Sequence, residues 1–219
     1  MFSNIHSMSA AEASQILVEE EIRFPSFSAS DAVTLGLSIR KRFRGTSRHA
    51  KGKGRGLVIS VQSIAGHTLF CCTVQGGPSS VGDVSLDSWS AIEGMINVVK
   101  RTGHSSYYVE KGMAAMGKTP KQMGLQGGEF RVNGGAFPIW LSNAPCCPIG
   151  IAACYSGSSQ DDHRLVSTTV RDYLSKLLRE GSFEPNMHTP STFPLPGTSE
   201  QPLSPTGERE DPSSARPSP

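Results

Sequence analysis

The chain has 219 residues and a formal net charge of +2. That is enough for one sizeable domain plus a tail, and too near neutrality for the broad field that bulk binding to nucleic acid or a membrane surface needs. No apolar run approaches the roughly 20 residues of a transmembrane helix. The opening MFSNIHSMSAAEASQ has neither a basic region nor an apolar core, and four acids precede the first arginine, Arg23, so no secretory or mitochondrial signal is expected and the protein is expected to be cytoplasmic.

Ser9 to Glu12 has the form of a capping box, and Ile16, Leu17 and Ile22 follow, so a first helix of about three turns is expected before Phe24-Pro25 breaks it. Ser28 to Asp31 repeats the box. Ala32, Leu35, Ile39 and Phe43 then step at the helical period, with Gly36 as a weak point between them. Eight of the 21 basic residues lie between Arg40 and Arg55, without an acid among them. Cations suit a helix C-terminus, and with Phe43 as the sole aromatic there is no stacking platform, so a solvated helix end and loop insert at about 45–56 is favoured over a nucleic-acid patch.

Leu57, Ile59 and Val61 alternate along a strand, Ala65-Gly66 turns the chain, and His67 to Val74 returns as the second strand of a hairpin. After a loop, Asp87 is expected to cap a helix carrying Trp89, Ile92, Ile96 and Val99 to about Gly103. A short helical piece then reaches Met116. From Gly127 to His163 two strands are expected. The first, Ala136 to Leu141, contains Pro138, which marks an edge, a strand start or a bulge. Gly134 and Gly135 open it, and Asp161-Asp162-His163 begins a last helix lined by Val166, Val170, Tyr173, Leu174 and Leu177. Residues 182–219 hold nine of the 15 prolines among many Ser and Thr, and read as a disordered tail with proline-directed sites such as Ser204-Pro205.

Gly112 to Thr119 matches the P-loop pattern letter for letter, but helix-like sequence precedes it and Pro120 and Gly124 follow, where phosphate binding needs a strand before and a long helix after. The five cysteines, Cys71, Cys72, Cys146, Cys147 and Cys154, contain no C-x-x-C and read as small buried thiols of a reducing compartment. No residue set specifies catalysis. A triad of Ser105, His163 and Asp161 is the least favoured reading, and the protein is not expected to be an enzyme. His104, in a loop before Ser105 and Ser106, and His163, in the first turn of the last helix, are candidates to ligate haem iron or bind an anion. The alternative for each is a hydrogen-bonded histidine in a capping network.

Several motifs recur in a fixed order: Phe24-Pro25-Ser26-Phe27 with Asp31-Ala32, Asp87-Ser88-Trp89, Asn97-Val98-Val99, Arg101-x-Gly103-His104-Ser105-Ser106-Tyr107-Tyr108, Lys118-Thr119, Gly134 to Ile139, and Gly150 to Ser156 with Asp161-Asp162-His163. With them the chain from about Leu17 to Leu178 resembles the haem-degrading-protein-like (HbpS/GlcG-like) domain family, in its uncharacterised fungal and bacterial branch. The resemblance implies a profilin-like α+β fold, an antiparallel sheet flanked by helices in one domain over residues 1–181, and a ring-like or stacked homo-oligomer. It departs where Gly94-Met95-Ile96 replace a basic cluster before Asn97, in the basic insert, and in the tail. Haem is the expected cofactor. The expected ligand site is His104, Ser105, Ser106, Gly134, Gly135 and His163, with both histidines as iron ligands taken from residue chemistry rather than transferred from the family. Self-association is expected, with protein partners through the tail, and nucleic acid is not. The alternative is a non-catalytic oligomeric interaction scaffold in the cytosol.

Overall fold

The computed structural model describes residues 21–46, 56–76 and 84–181, which all belong to one structural unit, Met1–Phe183. The helix expected from Ser9, the interior of the basic insert and the tail lie outside the described residues. In chain order the elements are β1 (Arg23–Phe24), α1 (Ala29–Arg44), β2 (Leu57–Ser63), β3 (Thr68–Val74), α2 (Leu86–Thr102), α3 (Ser106–Met116), a 3-10 turn (Lys121–Met123), β4 (Ala136–Leu141), β5 (Gly150–Tyr155) and α4 (Ser159–Gly181).

The strands form one sheet in the order β1-β4-β5-β2-β3. β4, β5, β2 and β3 are antiparallel to their neighbours, and only the two-residue β1 runs parallel to β4. The expected α+β domain, a sheet flanked by helices, is therefore observed, with a parallel edge added. A two-residue strand beside Pro25 has no periodicity for sequence to reveal.

Strand alternation assigns the layers. Leu57, Ile59 and Val61 of β2, Phe137 and Ile139 of β4, and Ala152 and Cys154 of β5 pack under α1 and α4 with Leu35, Ile39, Val166 and Val170. Val58, Ile151, Ala153 and Ala136 face the other way, against Ile92, Met95, Ile96 and Val99 of α2. α3 lies beside α2 through Val98, Val109 and Met113.

Ser28 caps α1 through the reciprocal box. Its hydroxyl accepts from the Asp31 N–H at 3.2 Å and the Asp31 carboxylate accepts from the Ser28 N–H at 2.7 Å. The N-cap of α2 is Ser85, not Asp87. Asp87 lies instead in the first helical turn, where a carboxylate also favours the helix dipole. Among the cysteines only Cys154 is buried. Cys71, Cys146 and Cys147 are exposed, because β3 is an edge strand and the other two sit in the β4–β5 turn, contrary to the expectation of small buried thiols.

The outer edge of β4 is protected in three ways. Gly135 and Ile139 carbonyls accept from β5, so the backbones of residues 136, 138 and 140 point away from it. The Ala136 N–H donates to Ser106 Oγ at 3.0 Å. Pro138 has no N–H to satisfy, which is the edge position its sequence suggested. Trp140 and Leu141 pair with β1, and the Ser142 N–H donates to the Phe24 carbonyl at 2.9 Å.

Gly36, a weak point by propensity, is required by packing: a Cβ built there stands 2.1 Å from the Phe70 ring of β3. Helix propensity favours alanine over glycine by about 1 kcal/mol, whereas overpacking costs about 1–3 kcal/mol. Gly36→Ala is expected to lower stability by up to about 2 kcal/mol in urea denaturation. Combining it with Phe70→Ala is expected to cost less than the sum of the single changes.

Candidate functional site

The expected site residues separate into two environments, on either side of the start of α3. On the inner side β4 begins between helices. The Gly134 N–H donates to Ser159 Oγ at 2.7 Å and to the Glu110 carboxylate at 2.8 Å, and the Ser159 hydroxyl donates to the same Glu110 oxygen. A Cβ at Gly134 would stand 2.4 Å from the Ser159 carbonyl, and one at Gly135, with φ of +140°, 2.4 Å from the Cys154 carbonyl. Both positions need glycine for close backbone approach, and Gly135 also for its conformation. One turn beyond Ser159, His163 stacks on Tyr107 with ring centroids 4.4 Å apart, and Phe137 lies 6.2 Å away. His163 is 5 % exposed. Ser105 caps α3 by accepting from the Tyr108 N–H at 3.2 Å, and Ser106 satisfies Ala136. Both serines are fully buried, with hydroxyls committed to backbone.

The α4 start is fastened by Asp162, whose carboxylate accepts from the Ser156 N–H at 2.9 Å and from the Ser156 hydroxyl. Burial raises its pKa to about 6 against the opposing effect of these hydrogen bonds. Burial, with the Asp162 charge second, also holds the Cys154 thiol far above its ordinary range.

On the outer side His104 is exposed and packs on Tyr108, with centroids 4.7 Å apart. Gly103, the left-handed cap of α2, lies against Trp140: a Cβ there would stand 3.8 Å from the indole. The Arg23 guanidinium lies 4.9 Å over that indole. Arg101 is exposed in the last turn of α2. Tyr108 therefore lies against the imidazole, and Trp140 with the Arg23 guanidinium over it lies beside the neighbouring Gly103. Sequence singled out His104 through its motif, but not Trp140 or Arg23, whose meeting depends on the parallel β1–β4 pair. Glu110 was likewise invisible, because nothing in a helix interior marks a carboxylate as the partner of a distant backbone N–H.

The remaining motifs are structural. Gly112 lies inside α3 and Gly117 is its left-handed cap, so the P-loop match falls at a helix C-terminus, the end that repels phosphate. Thr119 then binds the Gln122 side chain within the 3-10 turn. Gly94 carries no basic side chain but admits another cation: a Cβ there would stand 2.8 Å from Arg131 Cβ, and the Arg131 guanidinium reaches over the Tyr155 ring at 5.5 Å. Among the described residues no group of three or more His, Cys, Asp and Glu is arranged to hold a metal ion, and no helix is long and apolar enough to cross a membrane.

A family model described as "Haem degrading protein HbpS-like" matches residues 27–171. This chain belongs to the HbpS-like family. It is 29% identical to a UPF0303 protein of Schizosaccharomyces pombe, over 75% of this chain and 85% of that one. It is 31% identical to a UPF0303 protein of Burkholderia mallei, over 72% and 86%. Among solved structures the HbpS-like domain is similar to the Ybr137w protein, with a TM-score of 0.65 and 20% identity over 78% of this chain and 91% of that chain, a likeness of fold.

The Asp162 environment has a measurable signature. Its folded pKa of about 6 lies above the ordinary 3.8, so the folded state binds more protons between those values. Its contribution to stability therefore rises as pH falls through 6 and levels off below 3.8, by about 3 kcal/mol in all. The stability difference between wild type and Asp162→Asn, measured by urea denaturation from pH 7.5 to 4, is expected to change by about that amount, with wild type gaining on acidification.

Proposed function

We propose that this protein is a small-molecule binding module that holds a planar, anionic tetrapyrrole of the haem type at the His104 surface, as a cytoplasmic homo-oligomer. Membership of the HbpS-like family supports the ligand class. The observation that carries the choice of site is the contrast between the two histidines: His104 is exposed against Tyr108, and His163 is enclosed by Tyr107 and Phe137.

Haem needs an imidazole open to solvent, flat aromatic or apolar surface for its macrocycle, and cations for its propionates. His104 meets the first need, Tyr108 and Trp140 the second, and Arg23 and Arg101 the third. The bound group would supply a redox-active iron. His163 serves the interior instead: ligation there would require the Tyr107 stack to open. Ser105, Ser106, Gly134 and Gly135 act by positioning, since they set the start of α3 and β4 on which the His104 loop rests. Five free thiols suit a reducing compartment.

Haem titration of the full chain, read by absorbance, tests this. A saturable Soret band is expected in wild type, retained in His163→Ala and lost in His104→Ala. Absent binding, or binding indifferent to His104→Ala, would remove the proposal and leave the non-catalytic oligomeric scaffold as the better account.

A further inference from the structure

The sheet ends at β3, which among the described residues has a strand partner on one side only. Its sequence, Thr68-Leu-Phe-Cys-Cys-Thr-Val74, contains no charge and no proline. Edge strands are ordinarily guarded by such residues or by bulges; the register with β2 shifts opposite Val61 and Gln62, and the regular stretch beyond it, 70–74, lacks charge and proline and is a template for pairing.

The backbone direction along β3 follows from its neighbour. The Ser63 N–H donates toward the hairpin, to His67, and the Ile64 N–H donates the other way, to Ile149. Odd-numbered residues of β2 therefore address β3. Their partners Cys72 and Val74, opposite Ile59 and Leu57, turn their backbone groups inward. Cys71 and Thr73 consequently point their N–H and C=O groups out of the sheet.

A second feature lies on the same flank. α1 covers β2 and β3, with Gly36 seated on Phe70. Asp31 and Arg42 reach across to Tyr173 and Asp172 of α4. At 3.6 residues per turn Val33 and Leu37 fall on the opposite side of Gly36, beyond the β3 edge. They are 40 % and 47 % exposed.

We infer that β3 pairs antiparallel with β3 of a second copy of this chain, about a two-fold axis near Cys71, and that α1 packs on α1 across it through Leu37 and Val33. This rests on the homo-oligomer part of the proposed function and names the surface. The match is self-complementary. With Cys71 opposite itself, Phe70 faces Cys72 of the other copy within the regular stretch 70–74, with no like charges opposed. The helices then run antiparallel with Leu37 near the axis. Lys41 is four residues further on and Arg44 seven, so like residues of the two basic C-terminal turns stand about 12 to 21 Å apart along the helix axes.

Light scattering after gel filtration of the full chain tests the surface, with Leu37→Glu and Thr73→Pro. Leu37 is half exposed and the Thr73 N–H points out of the sheet, so both variants are expected to keep the wild-type circular dichroism spectrum. Each is expected to halve the assembly mass. A short bis-maleimide is expected to link wild-type chains in pairs, an outcome lost in Cys71→Ser although that variant keeps its mass. An unchanged mass in both variants, with cross-linking indifferent to Cys71, would overturn this interface and leave homo-oligomerisation standing. A monomeric wild type would remove both.

Discussion

The crossing of β4 between α3, α4 and β5 is the constraint on which the rest of the site depends. At Gly134 and Gly135 backbone meets backbone with no room for a Cβ. From that contact follow the Glu110–Ser159 clasp, the burial of His163 against Tyr107, and the Ser106 hydroxyl on Ala136. A side chain at either glycine would move the start of β4, and the loop that displays His104 would move with it.

This arrangement divides labour between residues of the same type. Two serines adjacent in sequence serve different elements, Ser105 as the cap of α3 and Ser106 as a surrogate strand for β4. Two histidines each pack on a tyrosine of the same helix, yet one faces solvent and one the core. Tyr107 and Tyr108 are consecutive, so the helix turns them by about 100°, and that angle is what separates an interior histidine from a surface one.

Much of this was legible from residue patterns. The capping box at Ser28, the 57–74 hairpin, the period of α2 and α4, and the edge character of Pro138 follow from local chemistry, and local chemistry is what sequence spells out. The site was less so. His104 and His163 look equivalent as letters, since burial is a property of what packs against them. Glu110, Trp140 and Arg23 gain their roles from partners far along the chain, Gly134, Gly103 and β1 among them. Gly36 was misjudged for the same reason: propensity counts a missing side chain as a loss, whereas here the Phe70 ring occupies the space.

The strand order also has a consequence for synthesis. β2 sits between β3 and β5, yet β3 follows it at once and β5 arrives only after Gly150, with Val58 pairing to Tyr155. At ribosomal rates of about 5–20 residues per second, the nascent hairpin waits on the order of ten seconds for the strand that closes its inner side. During that interval both edges of an uncharged, apolar hairpin are open. The nascent chain is therefore most in need of a chaperone before β5 emerges, and the sheet closes only after that strand has been made.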